Sequence, residues 1–276
     1  LRRKTTEKKI KFKKLTLEGI HLEGLKELLD QAVVLYNQPL FIGSDPIQIP
    51  HRFSKKQDIE IAGLIAALFA WGQRKTIIQK SSDFLELMDN QPYAFIRGYS
   101  SNELRRFEKF VHRTFNSTDS LFLIDVLRRI YTKYDSLEHV FFPNGYKASV
   151  AEGIVRFHHF AFNSAYAPER SRKHFASPDR GSTCKRLNMY LRWMVRSDEQ
   201  GVDFGLWKKL NTSDLRIPLD VHVEKVARNL GLLQRKNRDW QAVEELTSVL
   251  RMLDPLDPVK YDFALFGMGV LENKKD

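Results

Sequence analysis

Two side chains in this sequence stand where their type and setting could do chemistry. Asp220 heads the segment Ile217-Pro218-Leu219-Asp220-Val221-His222-Val223-Glu224-Lys225-Val226-Ala227-Arg228-Asn229-Leu230-Gly231-Leu232, a proline-led entry followed by an apolar stripe at helical spacing. A carboxylate at such an N-cap accepts from the first-turn amides and feels the positive end of the helix dipole, so it stays ionised in a partly buried groove. It either caps the helix and nothing more, or lends a fixed negative charge to a reaction. Lys185 closes Gly181-Ser182-Thr183-Cys184-Lys185 and opens the next striped segment. An amine attacks only when neutral, and lysine is normally charged at pH 7. Near a helix N-terminus, beside Arg186 and close to Met189 and Trp193, the ammonium form is disfavoured and the pKa is expected to fall. The same position also suits a phosphate contact. The amides of Ser182 to Lys185 would then cradle the anion without sequence preference, with Gly181 giving the turn and Arg180 and Arg186 assisting.

Both residues need rigid elements behind them, and the periodicity supplies only helices. Leu17, Ile20, Leu22, Leu25, Leu28, Leu29, Val33 and Leu35 mark a first amphipathic helix ending near Tyr36. Asp45 to Phe53, with Pro46 and Pro50, predicts a loop, and the mostly apolar Asp58 to Trp71 a buried central helix. Helices are expected over Thr76 to Met88, Pro92 to Gly98, Asn102 to Thr114, Ser120 to Tyr134, Ser136 to Phe142 and Ala148 to Phe162. A polar loop, Tyr166 to Thr183, precedes a helix from about Cys184 to Arg196. Then come a short helix near Phe204 to Leu210, a linker to Leu219, and helices over Asp220 to Leu230, Asp239 to Leu253 and Pro258 to Gly267. No strand alternation of useful length, internal repeat or low-complexity tract interrupts the series, so the fold class is all-α.

The 276 residues, 42% hydrophobic, suffice for a substantial core, and the net charge of +11 sets up a field that attracts polyanions. Arg2, Arg3, Lys4, Lys8, Lys9, Lys11, Lys13 and Lys14 concentrate part of that charge in residues 1–14, read as a basic, partly disordered arm or a solubilising tail, with 15–276 as one helical unit of two interleaved lobes. There is no run of apolar residues long enough to span a membrane and no signal-peptide core, which points to a cytoplasmic protein. Cys184 is the only cysteine, so neither an internal disulfide nor a four-cysteine metal site can form within one chain. His158-His159 and His222 lack zinc spacing; surface, core or phosphate roles fit them better, and no metal or other cofactor is called for. No heptad pattern demands a protein partner.

The Asp220 segment resembles the aspartate-bearing helix of the helix-hairpin-helix DNA glycosylases, and Gly181 to Lys185 resembles their hairpin, in which a lysine follows glycine in the bifunctional members. Thr183 stands where the usual second glycine would be, the customary Leu-Pro-Gly lead is absent, and the interval from Lys185 to Asp220 is long. In these respects the chain is closer to the archaeal 8-oxoguanine glycosylase type. Leu64 to Lys75 resembles a helix of that superfamily whose C-terminal end carries a glutamine touching DNA or the target base, here Gln73, with Trp71 as either a stacking wedge or core. Ser177 to Arg196, with Asp257 to Leu265, is also similar to a bacterial family of unknown function, a likeness spanning most of the chain.

The resemblance implies a two-lobed glycosylase-like fold with an atypical helix-hairpin-helix. It further implies a repair enzyme on double-stranded DNA, associated with the nucleoid when bound, that excises an oxidised or damaged base such as 8-oxoguanine. Lys185 would be the lyase nucleophile and Asp220 the carboxylate that stabilises the sugar and orients the amine. Cys184 would touch the flipped purine or merely fill the helix start. The alternative is a non-catalytic module of the same fold that grips nucleic acid.

Overall fold

A computed structural model describes residues 22–144 and 149–272. The chain is all-α. In order, its helices are α1 (Leu22–Tyr36), α2 (Pro39–Ile42), α3 (Lys56–Leu68), α4 (Arg74–Glu86), α5 (Pro92–Gly98), α6 (Ser117–Lys133), α7 (Glu138–Phe141), α8 (Val150–Phe162), α9 (Lys185–Val195), α10 (Val221–Asn229), α11 (Trp240–Leu253) and α12 (Tyr261–Glu272). Short 3-10 turns link several of them. The basic residues 1–14 lie outside the described residues.

Starts are chemically marked. Asn116 opens α6 and Ser149 opens α8 through reciprocal capping boxes with Asp119 and Glu152, and Asp239 caps α11 by accepting from the Ala242 amide. Every residue of α3 from Ile59 to Leu68 is buried, as befits a helix surrounded on all sides. It crosses α9 closely at Gly63, where a Cβ would meet Met194 Cε and Tyr190 Cε2, each at 3.2 Å.

The buried side chains fall into two clusters. The larger is built on α3 to α9, with Phe69, Phe84, Phe141, Phe157, Tyr190, Trp193 and Trp207 at its heart. The smaller joins α10, α11 and α12 to the N-terminal α1, through Leu25, Leu29, Val223, Val226, Leu246, Leu250 and Leu265. Sequence order therefore does not follow spatial order: α1 packs on α12, at the far end of the described chain. A Cβ on Gly267 would lie 2.4 Å from the Tyr36 ring, so glycine permits that contact.

Three local expectations are corrected. Asp45 to Phe53 is not an open loop. Pro46 and Pro50 each begin a 3-10 turn, Pro46–Gln48 and Pro50–Arg52, and Ile47 and Ile49 between them are fully buried. Asn102 to Thr114 is not a helix: a 3-10 turn, Glu103–Phe107, leads to a tight reversal in which His112 and Phe115 exchange backbone hydrogen bonds of 2.8 and 2.9 Å. The apolar residues of Phe204 to Leu210 are extended, because the Phe204 amide donates to Trp193 O and the Trp207 amide to Met194 O, each at 2.8 Å, laying the segment along the end of α9. Burial alone gives a helix and such a segment the same apolar signature.

Candidate functional site

The cleft between the two clusters has a volume of about 690 Å³, and its wall includes Lys185, Asp220, Asp45, Arg74, Arg192 and Asp262. Asp220 is the N-cap of α10; its Oδ1 accepts from the His222 and Val223 amides, both at 2.9 Å. The other oxygen, Oδ2, lies 4.0 Å from Lys185 Nζ, and the two side chains are 16% and 27% exposed. One oxygen is thus fixed by the helix start while the other faces the amine, with solvent reaching both.

Lys185 is held from behind by α9, and α9 by a buried charge network. Arg192 pairs with Asp203 at 3.3 Å and with Asp262; one turn on, Arg196 pairs with Asp203 at 3.0 Å, Asp198 at 2.7 Å and Asp257 at 2.9 Å. Both guanidiniums lie over Phe263. Asp262 and Phe263 belong to α12, so this network joins the element bearing Lys185 to the helix on which α10 rests. The α10 and α12 helices approach closely at Gly269, where a Cβ would come within 3.0 Å of His222 Cβ and O.

Burial pushes the Asp262 carboxyl up to about 7, against the pull of Arg192 and Lys185 and with the added repulsion of Asp220. Asp45, whose Oδ1 caps the Pro46–Gln48 turn by accepting from the Ile47 amide at 3.1 Å, is also raised by burial although Arg74, Arg192 and Lys185 oppose it. The cleft therefore sets two carboxyls that resist ionisation beside the capped Asp220. The spacing of the Asp220 and Lys185 motifs carries no sign of Asp45, Asp262, Arg74 or Arg192 as cleft residues. Asp262 does fall in the stretch Asp257 to Leu265 singled out above, and the proline-flanked Asp45 reads only as a turn starter.

The other candidates are dispersed around this centre. Trp71 lines the cleft, but it follows the end of α3 and is not part of it. Its ring meets His112 edge-on at 4.6 Å between centroids, lies tilted against His174 at 5.6 Å, and carries the Arg186 guanidinium at 5.0 Å. Gln73 does not end a helix; it is the exposed residue before α4, between the cleft residues Gly72 and Arg74. Arg186 was expected to assist a phosphate. Its guanidinium instead donates to Leu68 O, and at 3.3 Å to Lys173 O and His174 O, while burial lowers its pKa to about 10. It fastens the hairpin to the end of α3 and backs Trp71.

Cys184 is buried against the core and is absent from the cleft wall; burial pushes its thiol up to about 12, so it fills the helix start as an inert thiol. The hairpin itself departs from two helices flanking a turn. Only a 3-10 turn, Pro178–Arg180, precedes Gly181, and the left-handed conformations fall on Gly181 (φ 71°) and Cys184 (φ 50°). Two amides of this turn are already used: Gly181 N donates to Pro178 O at 3.0 Å and Cys184 N to Ser182 Oγ at 3.1 Å. Thr183 lines the cleft, Ser182 is half-buried, and Arg180 and Gly181 are exposed. Met189 lines the cleft with Lys185, whereas Trp193 belongs to the core.

Among the described residues, no group of His, Cys, Asp and Glu is arranged to hold a metal ion, and no helix is long and apolar enough to cross a membrane. The model of a family described as "Protein of unknown function (DUF2400)" matches residues 45–271. No curated protein and no solved structure matches.

Proposed function

Starting from a chain that belongs to this DUF2400 family of unknown function, we propose that it is a DNA-repair glycosylase with abasic-site lyase activity, built on a two-lobed glycosylase-like fold with an atypical helix-hairpin-helix. The observation that carries the reading is the approach of Lys185 Nζ to within 4.0 Å of Asp220 Oδ2 in one cleft, from elements belonging to different buried clusters. Neither the capping role of Asp220 nor the helix-opening role of Lys185 requires that meeting.

In this reading double-stranded DNA lies across the cleft, in the cytoplasm at the nucleoid, and a damaged nucleotide, such as one bearing the oxidised purine 8-oxoguanine, is rotated into it. The Lys185 amine bonds to the sugar C1′ as the C1′–N bond to the base breaks and the base departs with the bonding pair. Asp220, held at Oδ1 by two amides, stabilises the positive charge that develops on the sugar and takes up the amine proton through Oδ2. The resulting cyclic N,O-aminal then opens by cleavage of the C1′–O4′ bond, O4′ receiving the proton that Asp220 had taken up, to give a protonated imine that borohydride reduces. Trp71, Gln73 and Thr183 lie on or beside the route of the nucleotide, and Arg180 stands outside for backbone phosphates.

The test is borohydride trapping on duplexes containing 8-oxoguanine, uracil or an abasic site. A covalent adduct is expected with the wild-type protein, none with Lys185→Gln, and a yield reduced by at least about tenfold with Asp220→Asn. No adduct on any duplex, with salt-sensitive binding retained, would instead establish a non-catalytic binding module.

A further inference from the structure

Away from the cleft, the C-terminal end of α8 and the 3-10 turn Glu169–Lys173 enclose a second pocket of about 460 Å³ lined by His158, His159, Phe160, Phe162, Asn163 and Arg172. His158 is only 5% exposed, and neither of its ring nitrogens has a hydrogen-bond partner among the described residues. A buried imidazole with nothing to donate to is costly, and natural structures rarely leave one so. Core packing would have been served as well by phenylalanine, which already occupies Phe157 and Phe162 on the same helix.

The chemistry around it favours an anion. Arg172 lies over the Phe162 ring at 4.5 Å, and its ion pair with Glu169 runs through Nε at 2.6 Å, so the guanidinium fork can present its terminal nitrogens to another acceptor. A helix C-terminus would ordinarily repel an anion. Here the Phe160 and Ala161 carbonyls accept from Arg129 NH1 and NH2 at 2.9 and 2.8 Å, which offsets that end of the dipole. Burial lowers the pKa of His158; Asp179 of the turn before the hairpin opposes that shift, and Arg172 and Arg180 reinforce it. The turn bearing Arg172 is itself anchored to α6, where Asp119 binds Arg170 and accepts from Ser171 Oγ at 2.6 Å.

We infer that this pocket is a second phosphate subsite, in which His158 and Arg172 together hold one backbone phosphate of the DNA beyond the hairpin. The inference rests on the proposed DNA-binding function and extends its footprint; it does not depend on lyase chemistry.

The experiment measures binding of an undamaged duplex by fluorescence anisotropy across a salt series, for wild type, Arg172→Gln, His158→Phe and the double variant. Arg172→Gln is expected to reduce the slope of log K against log salt by about 0.9, the release of one counterion, and to weaken binding about tenfold at moderate salt. His158→Phe should weaken binding as well. Because both side chains would hold one phosphate, the second substitution should cost clearly less when the first is already present, and should lower the salt slope no further. An unchanged slope and affinity in Arg172→Gln, beside a wild type that binds with a steep salt dependence, overturns the subsite while leaving the cleft reading intact. Strictly additive losses overturn it too. A wild type that binds no duplex removes the subsite and the DNA-repair reading together, whereas missing borohydride adducts with coupled binding losses remove only the enzyme.

Discussion

At the scale of single residues, the cleft shows how one side-chain type is given different states by its surroundings. Asp220 has two amides on one oxygen and solvent nearby, whereas Asp262 is buried with a pKa raised to about 7. The sign of the consequence is definite. Between the ordinary carboxylate value of 3.8 and about 7, native Asp262 keeps a proton that the unfolded chain has lost, so its contribution to stability declines as pH rises through that window. Asp119 has the opposite sign. Burial would raise it, but the His174 ring 3.5 Å away and hydrogen bonds from Ser171 and the Asn116 amide hold it at about 2, so its contribution is present above 3.8 and is lost as pH falls toward 2. Urea midpoints measured along a pH series should therefore show a decline between pH 3.8 and about 7 that is smaller in Asp262→Asn than in wild type. Equal declines in the two proteins would mean that Asp262 titrates normally.

At the scale of elements, the position of Asp220 depends on how closely α10 can approach α12. Gly269→Ala places a Cβ against backbone atoms of His222, which cannot rotate away, so α10 must shift. A loss of about 1 to 3 kcal/mol in urea unfolding is expected. The borohydride adduct should fall further than the folded fraction does, since Asp220 moves with its helix. Gly98→Ala is the matched control. Its Cβ would enter open space at the end of α5, and the substitution is expected to be neutral or to stabilise by up to about 1 kcal/mol, with adduct yield unchanged. Unchanged stability and adduct in Gly269→Ala would show that the α10 and α12 helices are looser than their contact implies.

At the scale of the whole molecule, the two buried clusters are joined by charge as well as by apolar contact. Arg196 alone engages Asp203, Asp198 and Asp257, and Asn37, which follows α1, donates to Asp198 at 2.5 Å. Burial lowers the pKa of such an arginine, but the three carboxylates outweigh it and hold the guanidinium firmly charged. Arg196→Met leaves buried Asp203 with less compensation and should cost about 3 to 5 kcal/mol. Calorimetry should then show either a lower single transition or two separate ones. A melting temperature within a degree or so of wild type would mean that the network contributes little to joining the clusters.

Helical periodicity, capping residues and the absence of alternating apolar patterns are local properties, and they sufficed to establish the all-α class and most helix positions. The glycine-to-lysine turn and the proline-led Asp220 segment were legible for the same reason, since each motif lies within a few consecutive residues. Where burial came from distant partners, local pattern misled: Phe204 to Leu210 lies extended along α9, and the prolines of Asp45 to Phe53 build buried 3-10 turns. The surroundings of Lys185 were hidden for a related reason. Asp45, Arg192 and Asp262 come from widely separated stretches, and only the packing of the Pro46–Gln48 turn on α3 and α4, of α12 on α10, and the Arg192–Asp262 ion pair bring them to one cleft. Likewise Arg186 and Cys184, adjacent to Lys185 in sequence, are turned by the helix away from the cleft and into packing. A sequence determines which short-range geometries a chain prefers; which side chains share a dielectric, a charge or a cavity is decided by contacts among residues far apart, and only the tertiary structure specifies those.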